Sequence, residues 1–343
     1  MSTSPIRTAM VPVTRQMRAY FAPVDRTTET PTIFDPGLSG VFALNSSPSP
    51  WVDLGWIEGF ERSYQTPTEI VRSGTKAPPA LQFRGPLHGL VQFDFRQWGK
   101  LQMALACGSE HMNVLATAGT TTPSPSGGTP APAVAVLPGS TASQLVFGTG
   151  AASSFGQGSL IAVDVDYQQQ IGYVGSGIAG AYVSSPVAVK QDANYVRRVT
   201  FNVGRVAQVT ATSVLLAQPL LAGVPVGALA QTVVAFVDRE GGSFFQEWSA
   251  LFVAEEESGG RVCFYYPRLS PNPGSKAQSG MAKIVGGSAT GGFLREEFLA
   301  IAKPLSALSL RASFLALPYV DPNDGQTVVC YRSYFPATMA AVY

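Results

Sequence analysis

The chain has 343 residues, 23 Lys and Arg against 22 Asp and Glu, and only 13% charged residues, about half the usual share of ~25%. A net charge of +1 and the lack of a basic stripe argue against a nucleic-acid clamp, and the length is ample for a full hydrophobic core without disulfides or metals. So thin a covering of charge leaves much of the surface neutral, a composition suited to contact with other subunits.

Gly 35 and Pro 26 imply many turns and few long helices, and short runs rich in Val, Phe, Tyr and Thr between those turns read as strands. In chain order the strand-like runs are 40–44, 90–95, 159–167, 195–203, 206–216, 232–237, 261–266, 308–317 and 327–335. A helix is expected over 97–107, where Trp98, Leu101 and Leu105 share a face and Gly108 follows as a stop. A second helix or strand is expected over 293–303, with Leu294, Phe298 and Ile301 in register and Pro304 as terminator. From 117 to 143 the sequence is almost entirely Thr, Ser, Pro, Gly and Ala, too poor in apolar groups to offset ordering entropy, and reads as a linker or exposed loop. The expected fold is mainly β, a sandwich or barrel with one packed helix and an inserted small all-β module. Its expected divisions are 1–116, a linker over 117–157, an insert over 158–237, and a return to the first domain over 238–343.

Residues that could carry chemistry do not assemble into a constellation, so no enzyme activity and no cofactor or metal is expected. Gly175–Gly180 matches G-x-G-x-x-G, but Pro186 follows too soon for the helix that a dinucleotide site requires. The only histidines are His88 and His111, without ligand spacing to cysteine or carboxylate, and no G-x-S-x-G elbow is present. Cys107, Cys263 and Cys330 lie in separate apolar runs and read as buried reduced thiols. Asp164 with Asp166, or Asp53 with Glu58, are nominal carboxylate pairs for glycosidic hydrolysis, although solvated carboxylates are the plainer reading. Glu255, Glu256 and Glu257 precede Ser-Gly-Gly and read as a solvated hairpin tip, with an acidic pore lining as the alternative. The long uncharged stretch between Arg205 and Asp238 is broken by Pro219, Pro225, Gly223 and Gly227, which suits strands and turns better than a membrane span. Met1–Arg7 leads into no apolar run, so a cleaved secretory signal is not expected.

The run Trp51-Val-Asp-Leu-Gly-Trp-Ile-Glu-Gly59 resembles the W/Y-x-D-L-G-x-x-x-G segment of the major tail tube proteins of long-tailed bacteriophages, with matching positions Trp51, Asp53, Leu54, Gly55 and Gly59. The polar segment 61–89 resembles the loop that such subunits extend to neighbours, and the strand 90–96, the helix 97–107 and the ending over 308–335 follow in the family's order. The likeness covers about half the chain and leaves 117–237 outside it. It implies a structural virion protein without catalytic residues, located in the tail and assembled in the host cytoplasm. Its copies would close into rings, usually sixfold, and stack into a tube. The implied partners are copies of itself, the tape measure and terminator proteins, and viral DNA in passage without specific binding; no membrane is involved. A capsid decoration or host-surface adhesion protein is the alternative, suggested by the Thr/Ser/Pro linker and the separate insert.

Overall fold

A computed structural model describes residues 14–25, 28–39, 44–72, 79–85, 87–97, 99–108, 110–116, 131–165, 202–239, 247–256, 259–272 and 310–336. In chain order its elements are β1 (Thr14–Pro23), α1 (Pro36–Ser39), β2 (Val52–Gln65), β3 (Thr68–Arg72), β4 (Pro79–Arg84), β5 (His88–Phe95), α2 (Lys100–Cys107) and β6 (Glu110–Leu115). There follow β7 (Val134–Ala135), β8 (Gln144–Val146), β9 (Leu160–Asp164), β10 (Val203–Val209), β11 (Ser213–Leu216) and β12 (Leu229–Arg239). The chain closes with β13 (Trp248–Glu256), β14 (Arg261–Pro271), β15 (Leu310–Ala316), β16 (Tyr319–Val320), β17 (Thr327–Val328) and β18 (Tyr331–Phe335). The fold is mainly β, as expected.

One sheet runs β13-β1-β2-β5-β15-β14-β18, and β13 also pairs with β14. That pairing closes six strands into a barrel, with β18 added outside the ring. Alternation decides what faces inward: in β5, Gly89, Val91, Phe93 and Phe95 are buried while the residues between them are half-exposed. The interior is filled by aromatic rings, including Phe21, Phe93, Phe252, Phe314, Tyr266 and Trp248. Phe93 stacks on Phe314 at 5.7 Å, and Phe21 meets Phe252 edge to face at 5.9 Å. The barrel interior is therefore a packed core. Leu101 and Leu105 of α2 belong to the same cluster.

A second apolar layer lies outside the barrel wall. Tyr20, Leu251, Val253, Cys263 and Tyr265 point away from the interior and are covered by Phe34, Trp51, Leu44, Tyr331 and Phe335. Strands β1 and β13 are thus buried on both faces, so β13 reads as an almost continuous buried run. Neither strand is among the expected runs, because the alternation that marks a half-exposed strand is absent.

The other large sheet runs β6-β12-β9-β10-β11-β8 with β7 on β12, a curled half-barrel with its own core of Leu145, Phe147, Ile161, Val163, Val206 and Val214. β7, β8 and a 3-10 turn at Ala151–Ser154 fall within the stretch read as linker, and β6 already belongs to this sheet. The ordered unit thus reaches beyond 158–237 on the N-terminal side, and β12 extends it to Arg239. Backbone pairing to β12 and β11 orders these short pieces where side-chain burial alone would not.

α2 is shorter than the expected 97–107. Gly99 caps it in an extended conformation, and Arg96 N–H still donates to the Trp56 carbonyl at 3.1 Å, so the sheet holds the residues before it. Gly108 ends it at φ +60°, its N–H donating to the Ala104 carbonyl. The expected runs 206–216 and 327–335 are each two strands parted by a turn. Residues 40–43, 117–130, 195–201 and 293–303 lie outside the described residues.

Candidate assembly surface

The segment Trp51–Gly59 forms the first half of β2 and bends it twice. Leu54 and Gly55 stand opposite the single Ala19 of β1, and Gly59 and Phe60 opposite the single Phe93 of β5. Both are β-bulges with glycine at positive φ, +81° at Gly55 and +60° at Gly59. Asp53 locks the first bulge: its Oδ1 accepts from Gly55 N–H at 2.8 Å and from Arg18 Nε at 3.0 Å, while Arg18 Nη2 pairs with Oδ2. Arg18 also lies over the Trp56 ring at 5.3 Å and donates to Asn45 Oδ1 at 2.7 Å. Leu54 enters the barrel core and Trp51 the outer layer. The motif's residues thus bend β2 and pack it, Leu54 inside the barrel and Trp51 outside its wall.

Beyond the second bulge, β2 leaves the packed part of the sheet. Residues from Glu58 to Thr68 are exposed or half-exposed. β2 stays paired with β5 as far as Gln65 and His88, Gly85 N–H donates to the Pro67 carbonyl at 2.8 Å, and β3 then pairs with β4 from Thr68–Arg84 to Arg72–Pro79. Within the segment expected as a loop over 61–89, residues 61–65 thus remain in the large sheet and β3 with β4 forms a two-stranded ribbon, whose backbone groups are satisfied across the pair; residues 73–78 and 86 lie outside the described residues. Among the described residues β3 and β4 pair with no third strand. At the ribbon's root Arg62 donates to the Tyr266 hydroxyl at 2.6 Å and lies over Phe264 at 4.6 Å, tying the arm to β14. Other margins among the described residues are β18, paired only with β14, and the outer strands β6 and β8 of the half-barrel.

Glu255 and Glu256, at the β13–β14 turn, are not free carboxylates. Glu255 pairs with Arg261 at 3.1 Å, and Glu256 is buried, its Oε2 accepting from the Tyr334 hydroxyl at 3.3 Å. Strand β18 covers Glu256, which corrects the expectation of a solvated tip at that position; Glu257 lies outside the described residues.

The nominal carboxylate pairs are also otherwise engaged. Asp53 is bound to Arg18, Glu58 pairs with Arg96 at 2.7 Å, and Asp164 is buried with Oδ1 accepting from Val165 N–H at 2.5 Å. The burial of Asp164 corrects the expectation of a solvated carboxylate, since the strand face that it occupies is covered. Asp166 and Gly175–Gly180 lie outside the described residues. His88 is exposed at the start of β5 and His111 lies within β6. Cys107, Cys263 and Cys330 are reduced thiols, the first two buried as expected and Cys330 only half-buried, and burial pushes Cys263 up to about 12. Among the described residues no cluster of His, Cys, Asp or Glu could hold a metal, and no helix is long and apolar enough to cross a membrane.

Sequence reasoning does not single out Lys100. It opens α2 and donates from Nζ to Asn113 Oδ1 of β6 at 2.8 Å, with the Phe236 ring of β12 at 5.8 Å. Burial pushes its ammonium down to about 7. The side chain sits where the helix of the barrel meets the half-barrel, a tertiary contact with no local signal.

Comparison with protein-family models and with curated proteins finds no match to the chain.

Proposed function

We propose that the chain is a structural subunit of a phage tail tube, polymerising into stacked, sixfold rings that conduct DNA. The reading rests chiefly on the β3–β4 ribbon. A two-stranded ribbon that, among the described residues, pairs with no third strand is marginal in water, so an arm of this kind calls for a neighbouring surface. A strand rises ~3.3 Å per residue, so five paired residues carry the arm roughly 17 Å past the β2–β5 ladder. Around it, the order bulged strand, arm, strand β5, helix α2 is that of the tail tube resemblance.

Other features suit this role. The barrel interior is filled, so the conduit would lie between subunits and its lining would come from outer surfaces. Sparse charge near neutrality favours passage of DNA over gripping it. The half-barrel has a core of its own, which supports a second reading as a decoration or adhesion module; binding of the protein to host cells without any self-association would favour it. Replacement of residues 68–84 by a short Gly-Ser turn is expected to leave the barrel folded, by circular dichroism, and to abolish polymerisation in sedimentation velocity. Polymerisation undiminished by that replacement would remove the arm from the account.

A further inference from the structure

Against the outer apolar layer of the barrel lies a cleft of about 380 Å³, walled by Phe34 and Tyr265 on one side and by the β16–β17 hairpin and β18 on the other. Its size is within the range of small-ligand sites. Tyr265 stacks on Tyr331 at 5.8 Å and 20° and meets Phe34 edge to face at 6.2 Å, so the aromatic wall is fixed by packing. The Tyr265 hydroxyl donates to the Thr32 carbonyl at 2.9 Å, which anchors the back of that wall. Tyr319 completes the lining from β16.

Two carboxylates reach the same cleft, Asp35 and Asp321. Asp321 is held in place by three donors: the Tyr331 hydroxyl to Oδ2 at 2.6 Å, and Asn323 N–H and Nδ2 to Oδ1 at 2.8 and 3.0 Å. The turn itself is closed by Gly325 N–H on the Asp321 carbonyl and Asp321 N–H on that of Gln326, each at 2.8 Å. Those donors hold the Asp321 carboxyl below its ordinary range, and its charge adds to burial in pushing the Tyr319 hydroxyl up. The single cation of the lining, Arg332, is exposed and pairs with neither carboxylate among the described residues. Rings with negative faces beside a preorganised carboxylate make a site for positive charge.

We infer that this cleft binds an organic cation, an alkylammonium or guanidinium group, between Tyr319, Tyr331 and Asp321. The inference stands whether or not the chain polymerises. The cation could come from a basic side chain of a protein partner or from a free amine, and the chemistry is the same for both.

The test uses the full-length protein at low ionic strength, titrated by calorimetry and NMR with tetramethylammonium, butylammonium, N-acetyl-lysinamide, N-acetyl-argininamide and, as a neutral control, glucose. Saturable binding of one or more cations at millimolar concentration is expected, with none for glucose. A preference for the amino-acid amides assigns a protein side chain, and equal binding of the simple amines assigns a free amine. Asp321→Asn is expected to weaken binding about tenfold and Tyr319→Ala about three- to tenfold. Arg332→Ala is expected to tighten it about twofold, since a competing positive charge is lost. All three residues are exposed or half-exposed, so the variants keep the fold, which is checked by circular dichroism. Absence of saturable cation binding, equal binding of glucose, or affinities unchanged in both Asp321→Asn and Tyr319→Ala would overturn the inference.

Discussion

Substitution at Gly55 tests whether the sequence motif acts through the bend in β2. At φ +81° an L side chain meets the left-handed penalty, and a Cβ built there would sit 2.5 Å from Gln97 Oε1. Gln97 is exposed, so its amide can swing away at small cost, and the backbone penalty of about 1–2 kcal/mol dominates. Alanine also restricts the unfolded chain, which returns about 0.4–1 kcal/mol. The net expectation for Gly55→Ala is a loss of about 1 kcal/mol, for Gly55→Asn a smaller loss, and for Gly55→Val about 3 kcal/mol. Gly148 provides the control, since its φ is not positive and no atom lies within 4 Å of where a Cβ would stand: Gly148→Ala should be neutral or slightly stabilising. Urea unfolding followed by tryptophan fluorescence reads the barrel, since Trp248 lies fully buried inside it. Adding Gln97→Ala to Gly55→Ala should recover only a few tenths of a kcal/mol. A Gly55→Ala protein as stable as wild type, or fully rescued by Gln97→Ala, would refute the reasoning.

Two further outcomes follow from the packing. Phe93→Ala removes a ring that stacks on Phe314 and also meets Phe21, Phe95 and Phe252, and should cost about 3–5 kcal/mol in the same assay. Lys100→Met should change sign with pH. Burial lowers the folded pKa from 10.5 to about 7, so between those values the unfolded chain binds more protons; the lysine's penalty is full below pH 7 and fades as pH rises towards 10.5. Allowing for its partial exposure and the lost bond to Asn113, the variant should be more stable by about 1–3 kcal/mol near pH 6 and less stable by about 1 kcal/mol near pH 10. A difference independent of pH in paired urea titrations would contradict this.

What the sequence discloses follows from how each segment is solvated. β5, β12, β14 and β15 are legible because they combine β-branched and aromatic residues with bounding turns. β1 and β13 are not, because layers cover them on both sides and no polar alternation survives. The end of β2 and the β3–β4 ribbon are hidden for the opposite reason: the polar residues of 61–89 look like loop, and only cross-strand backbone pairing makes these pieces strands. The motif residues Trp51, Asp53, Leu54, Gly55 and Gly59 stand out in the sequence, but the glycines' task as bulges depends on the register with β1 and β5, which sequence does not carry. The aromatic cleft is invisible for the same reason, since Phe34, Tyr265, Tyr319 and Tyr331 come together only when β18 adds to β14.

The central claim is that the arm and the uncovered strand margins meet their partners in other copies of the chain. Electron microscopy of the concentrated purified protein, averaged down the particle axis, tests it most directly. The account predicts rings or tubes of repeated subunits around an open lumen. Monodisperse single subunits, at every concentration up to the solubility limit, would contradict it.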